Sequence, residues 1–154
     1  MTGKTEAKLA ALGIVLPSPM LPIANYLPYV VAGDLVFVSG QLPAIDGRVA
    51  WTGKVGGAVG IEEAAKACRQ SFVNLLVHLK AVTGDLDRVI QVVRLGGFIA
   101  AGPEFTQHAA AMNGASDLAV EVFGDRGRHA RTTIGVASLP LDASVEVEGL
   151  FRIA

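Results

Sequence analysis

Apolar residues recur at Ala65, Cys68, Phe72, Leu75, Leu76, Leu79 and Val82, the spacing of one helix face, and Thr83-Gly84 closes the run with a stop signal. A helix that is long and greasy on one side needs a flat apolar partner, and the next segment predicts one. Val89 to Ala100 is rich in β-branched and large apolar residues, as expected for a strand, and its Gly96-Gly97 pair marks a bulge or a close approach by another part of the chain. A second helix is expected from Pro103, with Glu104 at the positive end of its dipole. Phe105, Ala109, Met112, Ala119 and Val122 form its stripe and Gly124 its end.

Upstream, Thr5 predicts the cap of a short helix reaching Leu12, with Gly13 as its stop, and Pro17, Pro19 and Pro22 then force an extended arm. Residues 1–24 are read as this arm and 25–154 as one domain. Leu27 to Ser39 reads as a hairpin turning at Ala32-Gly33-Asp34, and Gly40 to Gly60 as loop or irregular edge strand around Trp51. Two further strands, Ala130–Ala137 and Ser144–Ile153, follow. The order hairpin, helix, strand, helix, strand, strand gives one sheet with two helices on a single face. Along the last strand Val145, Val147, Phe151 and Ile153 alternate with Ser144, Glu146, Glu148 and Arg152, so the apolar set faces the helices. The same alternation leads us to expect Arg131, Thr133 and Glu146 on the other, polar face.

Composition limits the partners. With 51% apolar and 18% charged residues, the chain is greasier than a small monomer can hide, which favours self-association. A net charge of -1 without a Lys/Arg run lacks the electrostatic footprint of a nucleic-acid binder. The single cysteine, Cys68, permits no internal disulfide and no cysteine-rich zinc site, and its place in the first helical stripe reads as inert core. Lys4, Glu6 and Lys8 interrupt the N-terminal apolar stretch, so neither a signal peptide nor a membrane span is expected there, and a reducing cytoplasm fits best.

Three motifs carry a resemblance. The run His129-Ala130-Arg131-Thr132-Thr133-Ile134-Gly135-Val136-Ala137-Ser138-Leu139-Pro140, then Val145-Glu146-Val147-Glu148, resembles the P-A-R-S-x-V-x-V-x-x-L-P and V-E-I-E signature closing proteins of the RidA (YjgF-type, L-PSP endoribonuclease-like) family. Gly33 to Pro43 resembles that family's G-N-L-I-F-T-S-G-Q-x-P, and Asn113 with Phe123-Gly124 sits where its second helix carries N and F-G. The resemblance runs from about Tyr26 to the C-terminus. It implies an α+β, chorismate-mutase-like two-layer fold, with one mixed sheet, two long helices on one face, and a homotrimer with pockets between subunits. It also implies hydrolysis of small enamine or 2-imino acids, such as 2-aminoacrylate or 2-iminobutanoate, to 2-keto acids and ammonia, with no cofactor or metal.

The residues suit that chemistry. Arg131 presents a planar fork that takes a carboxylate through two charge-assisted hydrogen bonds; the alternative is a strand arginine paired with Glu146 or Glu148 across the sheet. Glu146 is a candidate to orient water or pass a proton, or simply balances Arg131. Thr133 stands where many relatives carry cysteine, so any hydrogen bond there comes from a hydroxyl. Tyr26, preceded by Asn25 where the family has G-P-Y, is a candidate pocket wall. Ser39 either binds substrate or is a strand-end turn hydroxyl, and Asn113 either lines the site or braces its helix. His129 replaces the family's proline and is an extra acid-base candidate, whereas His78 and His108 are expected on solvated helix faces. Trp51 rims the pocket or anchors its loop. The competing functions are a non-catalytic sensor of 2-keto-acid-like metabolites at the same pocket and, from labels some relatives carry, an endoribonuclease or translation inhibitor.

Overall fold

The computed structural model describes residues 3–19, 22 and 24–154; Met1, Thr2, Met20, Leu21 and Ile23, which fall in the expected arm, lie outside the described residues. The first helix, α1, spans Lys4–Ala11, and its cap differs from expectation. Thr5 lies inside it. Asp87, from the turn between the second helix and the strand that follows it, takes the Lys4 and Thr5 N–H groups at 2.7 and 2.8 Å. A distant carboxylate thus satisfies the free first-turn donors and meets the positive end of the helix dipole. Gly13 closes the helix at φ +72° as expected.

Strands β1 (Tyr29–Ala32) and β2 (Leu35–Gln41) form the hairpin, with Gly33 at φ +64°. The glycine-rich stretch folds only a minute hairpin, β3 (Ala44–Ile45) with β4 (Arg48–Val49). Helix α2 runs Ile61–Thr83 and ends on left-handed Gly84. Strand β5 is Val89–Ala100. Its irregularities fall at Val89/Gln91 and Val92/Arg94, not at Gly96-Gly97. The two glycines are instead approached closely: a Cβ on Gly96 would meet Glu148 at 2.7 Å, and one on Gly97 would meet the Met112 sulfur at 2.6 Å.

Helix α3 spans His108–Phe123, five residues later than expected. Pro103 and Glu104 occupy a turn closed by the Phe105 N–H on the Gly102 carbonyl, while Phe105 packs edge-on against His108 and over Gly56. Tertiary packing of one aromatic ring overrides the local helix-start signals. Strands β6 (Ala130–Val136) and β7 (Val145–Ile153) complete a five-stranded sheet of order β1-β2-β7-β5-β6, in which only β5 and β6 run parallel.

The expected two-layer arrangement is present. Phe72, Leu75, Leu76 and Leu79 of α2 and Met112 and Leu118 of α3 bury against Val36, Leu95, Ile99, Val145, Val147 and Phe151, and Leu9 of α1 joins the same core. Among the described residues no helix covers the opposite sheet face, which exposes Val30, Phe37 and Ile134. His78 departs from its expected solvated position: it is buried, 3.3 Å from the Gln41 side-chain oxygen. The Leu42–Ala44 segment runs along that side of α2, held by the Asn74 amide, so the buried arc is wider than the apolar stripe. No helix among the described residues is long and apolar enough to cross a membrane.

The two helices touch at Gly114, where a Cβ would land on the Ala65 carbonyl oxygen of α2. Alanine gains about 1 kcal/mol over glycine in an open helix interior, but overpacking costs about 1–3 kcal/mol and here meets rigid backbone. Gly114→Ala should therefore lower the urea midpoint of unfolding; an unchanged or higher midpoint would show that the helices do not meet there.

Candidate functional site

Pairing across β5 decides which side chains share a face. Leu95 sits opposite both Arg131 and Gly149, and Gly97 opposite both Thr133 and Val147, so Arg131 and Thr133 lie on the helix-covered face. Glu146 is paired with Phe98 and Glu148 with Gly96, which puts both glutamates on the open face. The expected common face of Arg131, Thr133 and Glu146 is therefore not formed, and β5 separates β6 from β7. Alternation along each strand fixes only its own two faces; the phase between strands comes from register.

The Arg131 guanidinium reaches α3. It donates to the Ser116 hydroxyl at 3.0 Å and to the Ala109 carbonyl at 3.3 Å. Two of its five N–H groups are thereby committed and three remain free. None of the ion pairs formed among the described residues includes Arg131. The pairing with Glu146 or Glu148 weighed from sequence is absent; Glu148 instead meets Arg94 at 3.3 Å. A half-buried, anchored cation on the edge strand, with no carboxylate partner among the described residues, has the chemistry to take an anion.

Ser116 connects a further residue. Its hydroxyl lies 2.8 Å from His129 Nε2, and His129 Nδ1 lies 2.6 Å from the Gly127 carbonyl. A carbonyl only accepts, so Nδ1 carries the proton, and in the neutral ring Nε2 accepts from Ser116. Ser116 was missed from sequence. The available signal was its spacing, since Ala109, Asn113 and Ser116 fall on one stripe of α3. Asn113 is exposed on that stripe. The Thr133 hydroxyl, two residues from Arg131 on the same face, is buried with no hydrogen-bond partner among the described residues. Cys68 lies beneath the site, fully buried; burial pushes its thiol up to about 12, against the opposing pull of the Arg131 charge.

The other expected residues stand apart. The Ser39 hydroxyl donates to the Leu27 carbonyl at 2.7 Å, the turn role, and Tyr26 is exposed in the loop before β1. From β1 to β6 the sheet crosses four interstrand steps, ~19 Å, so Tyr26 and Arg131 of one chain do not share a pocket. Glu146 is packed over Gly40, where a Cβ would strike its carboxyl, and burial plus the neighbouring Glu148 charge hold its pKa above the ordinary range. The Trp51 indole N–H donates to Glu63 at 2.8 Å and so anchors its loop. Cavities of about 370 Å³ between Pro17–Pro19, Gln41 and His78, and of about 560 Å³ beside Trp51 and Arg69, lie under the N-terminal arm, away from Arg131.

Comparison with known proteins bears on this arrangement. A family model described as "YjgF/chorismate_mutase-like, putative endoribonuclease" matches residues 6–152. The chain is 42% identical to Protein TCP17 of Trypanosoma cruzi over 99% of its own length and 96% of the relative's. Among solved structures it resembles Atu1372 of Agrobacterium tumefaciens, whose function is unknown, at 43% identity and TM-score 0.91, covering 97% of this chain and 92% of that one. It also resembles a "putative endoribonuclease" of Shewanella oneidensis at 33% identity and TM-score 0.94, covering 97% and 99%.

Two consequences of the environments are measurable. The folded protein should react with iodoacetamide at pH 8 about 10³-fold more slowly than the urea-unfolded chain, because Cys68 is the one thiol and is held protonated. For Glu146 the folded pKa is raised, so its stabilising contribution is complete below the unfolded carboxylate value and is lost as pH rises through the folded one. Glu146→Gln should thus raise the melting temperature at pH 8, and the gain should vanish towards pH 4. A stability loss at pH 8 would show that the charged form is the favoured one.

Proposed function

Because the chain belongs to the YjgF/chorismate mutase-like family, we propose that it hydrolyses small 2-imino and enamine acids to 2-keto acids and ammonia at Arg131, in pockets completed by trimer formation. The observation that carries this reading is the Arg131 fork: anchored on two α3 acceptors, unpaired with any carboxylate, and open at the β6 edge. A 2-imino acid has a planar carboxylate next to the electrophilic carbon. Docking that carboxylate on the free N–H groups fixes the carbon relative to the α3 side chains and to an attacking water. No metal or cofactor enters this scheme.

The remaining candidates reach the site from another copy. The open sheet face carries exposed Val30, Phe37 and Ile134 beside Glu146, and the opposite edge carries Tyr26. Closing such a face against a neighbouring protomer buries the apolar residues. It also brings Tyr26 and Glu146 of the partner subunit to the β6 edge, to wall the pocket and orient the attacking water. Asn113 and Thr133 complete the lining from the Arg131 side. In this scheme residues 25–154 form the working domain, 1–24 its arm, and the setting is a reducing cytoplasm. RNA is a poor fit: the net charge is -1, and the three histidines stand in three separate environments.

The test generates 2-iminobutanoate in situ with an amino-acid oxidase and follows keto-acid release. Wild-type protein should accelerate release and elute as a trimer by light scattering; keto-acid binding without acceleration would favour the sensor. Arg131→Lys keeps the charge but loses the planar fork, and misplacement of order 1 Å costs about 10²-fold in rate. Turnover should collapse while trimer mass and melting temperature persist. Wild-type turnover in this variant would remove Arg131 from the site.

A further inference from the structure

Resting on that reading, we propose that Ser116 and His129 form the proton relay of the Arg131 site. Glu146 of the same chain lies on the opposite sheet face, and the Cys68 thiol is buried and protonated, so neither can take a proton beside Arg131. His108, at the start of α3, lies over Gly135, four residues along β6 from Arg131, and packs against Phe105. His129 is the imidazole joined to the guanidinium, through one hydroxyl: Arg131 Nη1 to Ser116 Oγ at 3.0 Å, and Ser116 Oγ to His129 Nε2 at 2.8 Å.

The hydrogen-bond inventory of that hydroxyl defines the route. Ser116 donates its proton to Nε2 and accepts from Arg131 with one lone pair, which leaves a second lone pair for a water. The Arg131 N–H makes the hydroxyl a better proton donor. The Gly127 carbonyl, 2.6 Å from Nδ1, fixes the tautomer that leaves Nε2 free to accept. When water attacks the iminium carbon of a docked 2-iminium acid, the new C–O bond uses a water lone pair and the C=N π pair returns to nitrogen. A water proton passes to Ser116 while the Ser116 proton passes to His129. The relay then runs backwards: His129 returns a proton through Ser116 to the carbinolamine nitrogen. The C–N bond breaks with its pair on nitrogen, the hydroxyl oxygen forms the carbonyl, and its proton departs with ammonia as ammonium. Iminium acid and water become keto acid and ammonium, with nothing left on the protein.

The experiment compares wild type, Ser116→Ala, His129→Gln and His129→Ala for imine hydrolysis and, by calorimetry, for binding of 2-oxobutanoate. Removing a general acid-base group costs typically 10²–10⁴-fold. We expect kcat to fall by about 10² in all three variants, with keto-acid Kd changed less than about threefold because the free Arg131 N–H groups remain. Added imidazole should restore much of the rate to His129→Ala and none to Ser116→Ala, which a merely structural histidine would not show. Undiminished turnover in the His129 variants would overturn the relay while leaving the deaminase reading intact. So would rate loss matched by equal loss of keto-acid binding, without imidazole rescue. Absence of turnover in the wild type would overturn both.

Discussion

The parallel pairing of β5 with β6 constrains the rest of the molecule. Parallel neighbours cannot be joined by a tight turn, so the chain must leave the sheet, cross over one face and return. Here the crossover is α3, and its position follows from two close approaches: Gly114 against the α2 backbone and Met112 over Gly97. Once α3 is seated in this way, its Ala109–Asn113–Ser116 stripe lies above the helix-facing row of β6, and the Arg131 side chain has two helix acceptors within reach. The same connection leaves β6 without a partner on its outer side. Arg131 is therefore held at an open sheet edge because of how the sheet is wired.

The elements were legible because their signals are local. The α2 stripe and Gly84, the limits of β5, the turn at Gly33 and the alternation of β7 all depend on residues a few positions apart. What was not legible depends on partners far along the chain. The cap of α1 is Asp87, some eighty residues away, and Thr5 alone gave a plausible but different start. The delayed start of α3 follows from Phe105 packing over Gly56, and the burial of His78 from the segment beyond Gln41. Most consequential was strand phase: Glu146 and Arg131 each alternate as expected, yet the register through β5 places them on opposite faces. One residue of register is worth a whole face, and no pattern within either strand encodes it.

That separation changes how the carboxylates and the arginine are understood. Had Glu146 paired with Arg131, each would have neutralised the other and the arginine would have had little attraction left for a ligand. Instead Glu148 is drawn to Arg94, Glu146 is left half-buried with its charge disfavoured, and Arg131 keeps its charge uncompensated. Both uncompensated groups lie where a second copy can reach, one on the open face and one at the open edge. In the proposed trimer, water excluded by a neighbouring protomer would strengthen the interaction of Arg131 with a bound carboxylate.

The Thr133 hydroxyl fits the same logic. An unsatisfied buried hydroxyl costs about 1–3 kcal/mol, and a cysteine, which the resemblance implies at this position in many relatives, would carry a far weaker polar group and little such cost. Threonine here is therefore not the residue that packing alone would favour. It lies in the row of Arg131 on the helix-covered face, opposite Gly97 of β5. Under the proposed function, a site built around a buried hydroxyl discriminates against ligands that leave it unpaired, and Thr133 is where such discrimination would act.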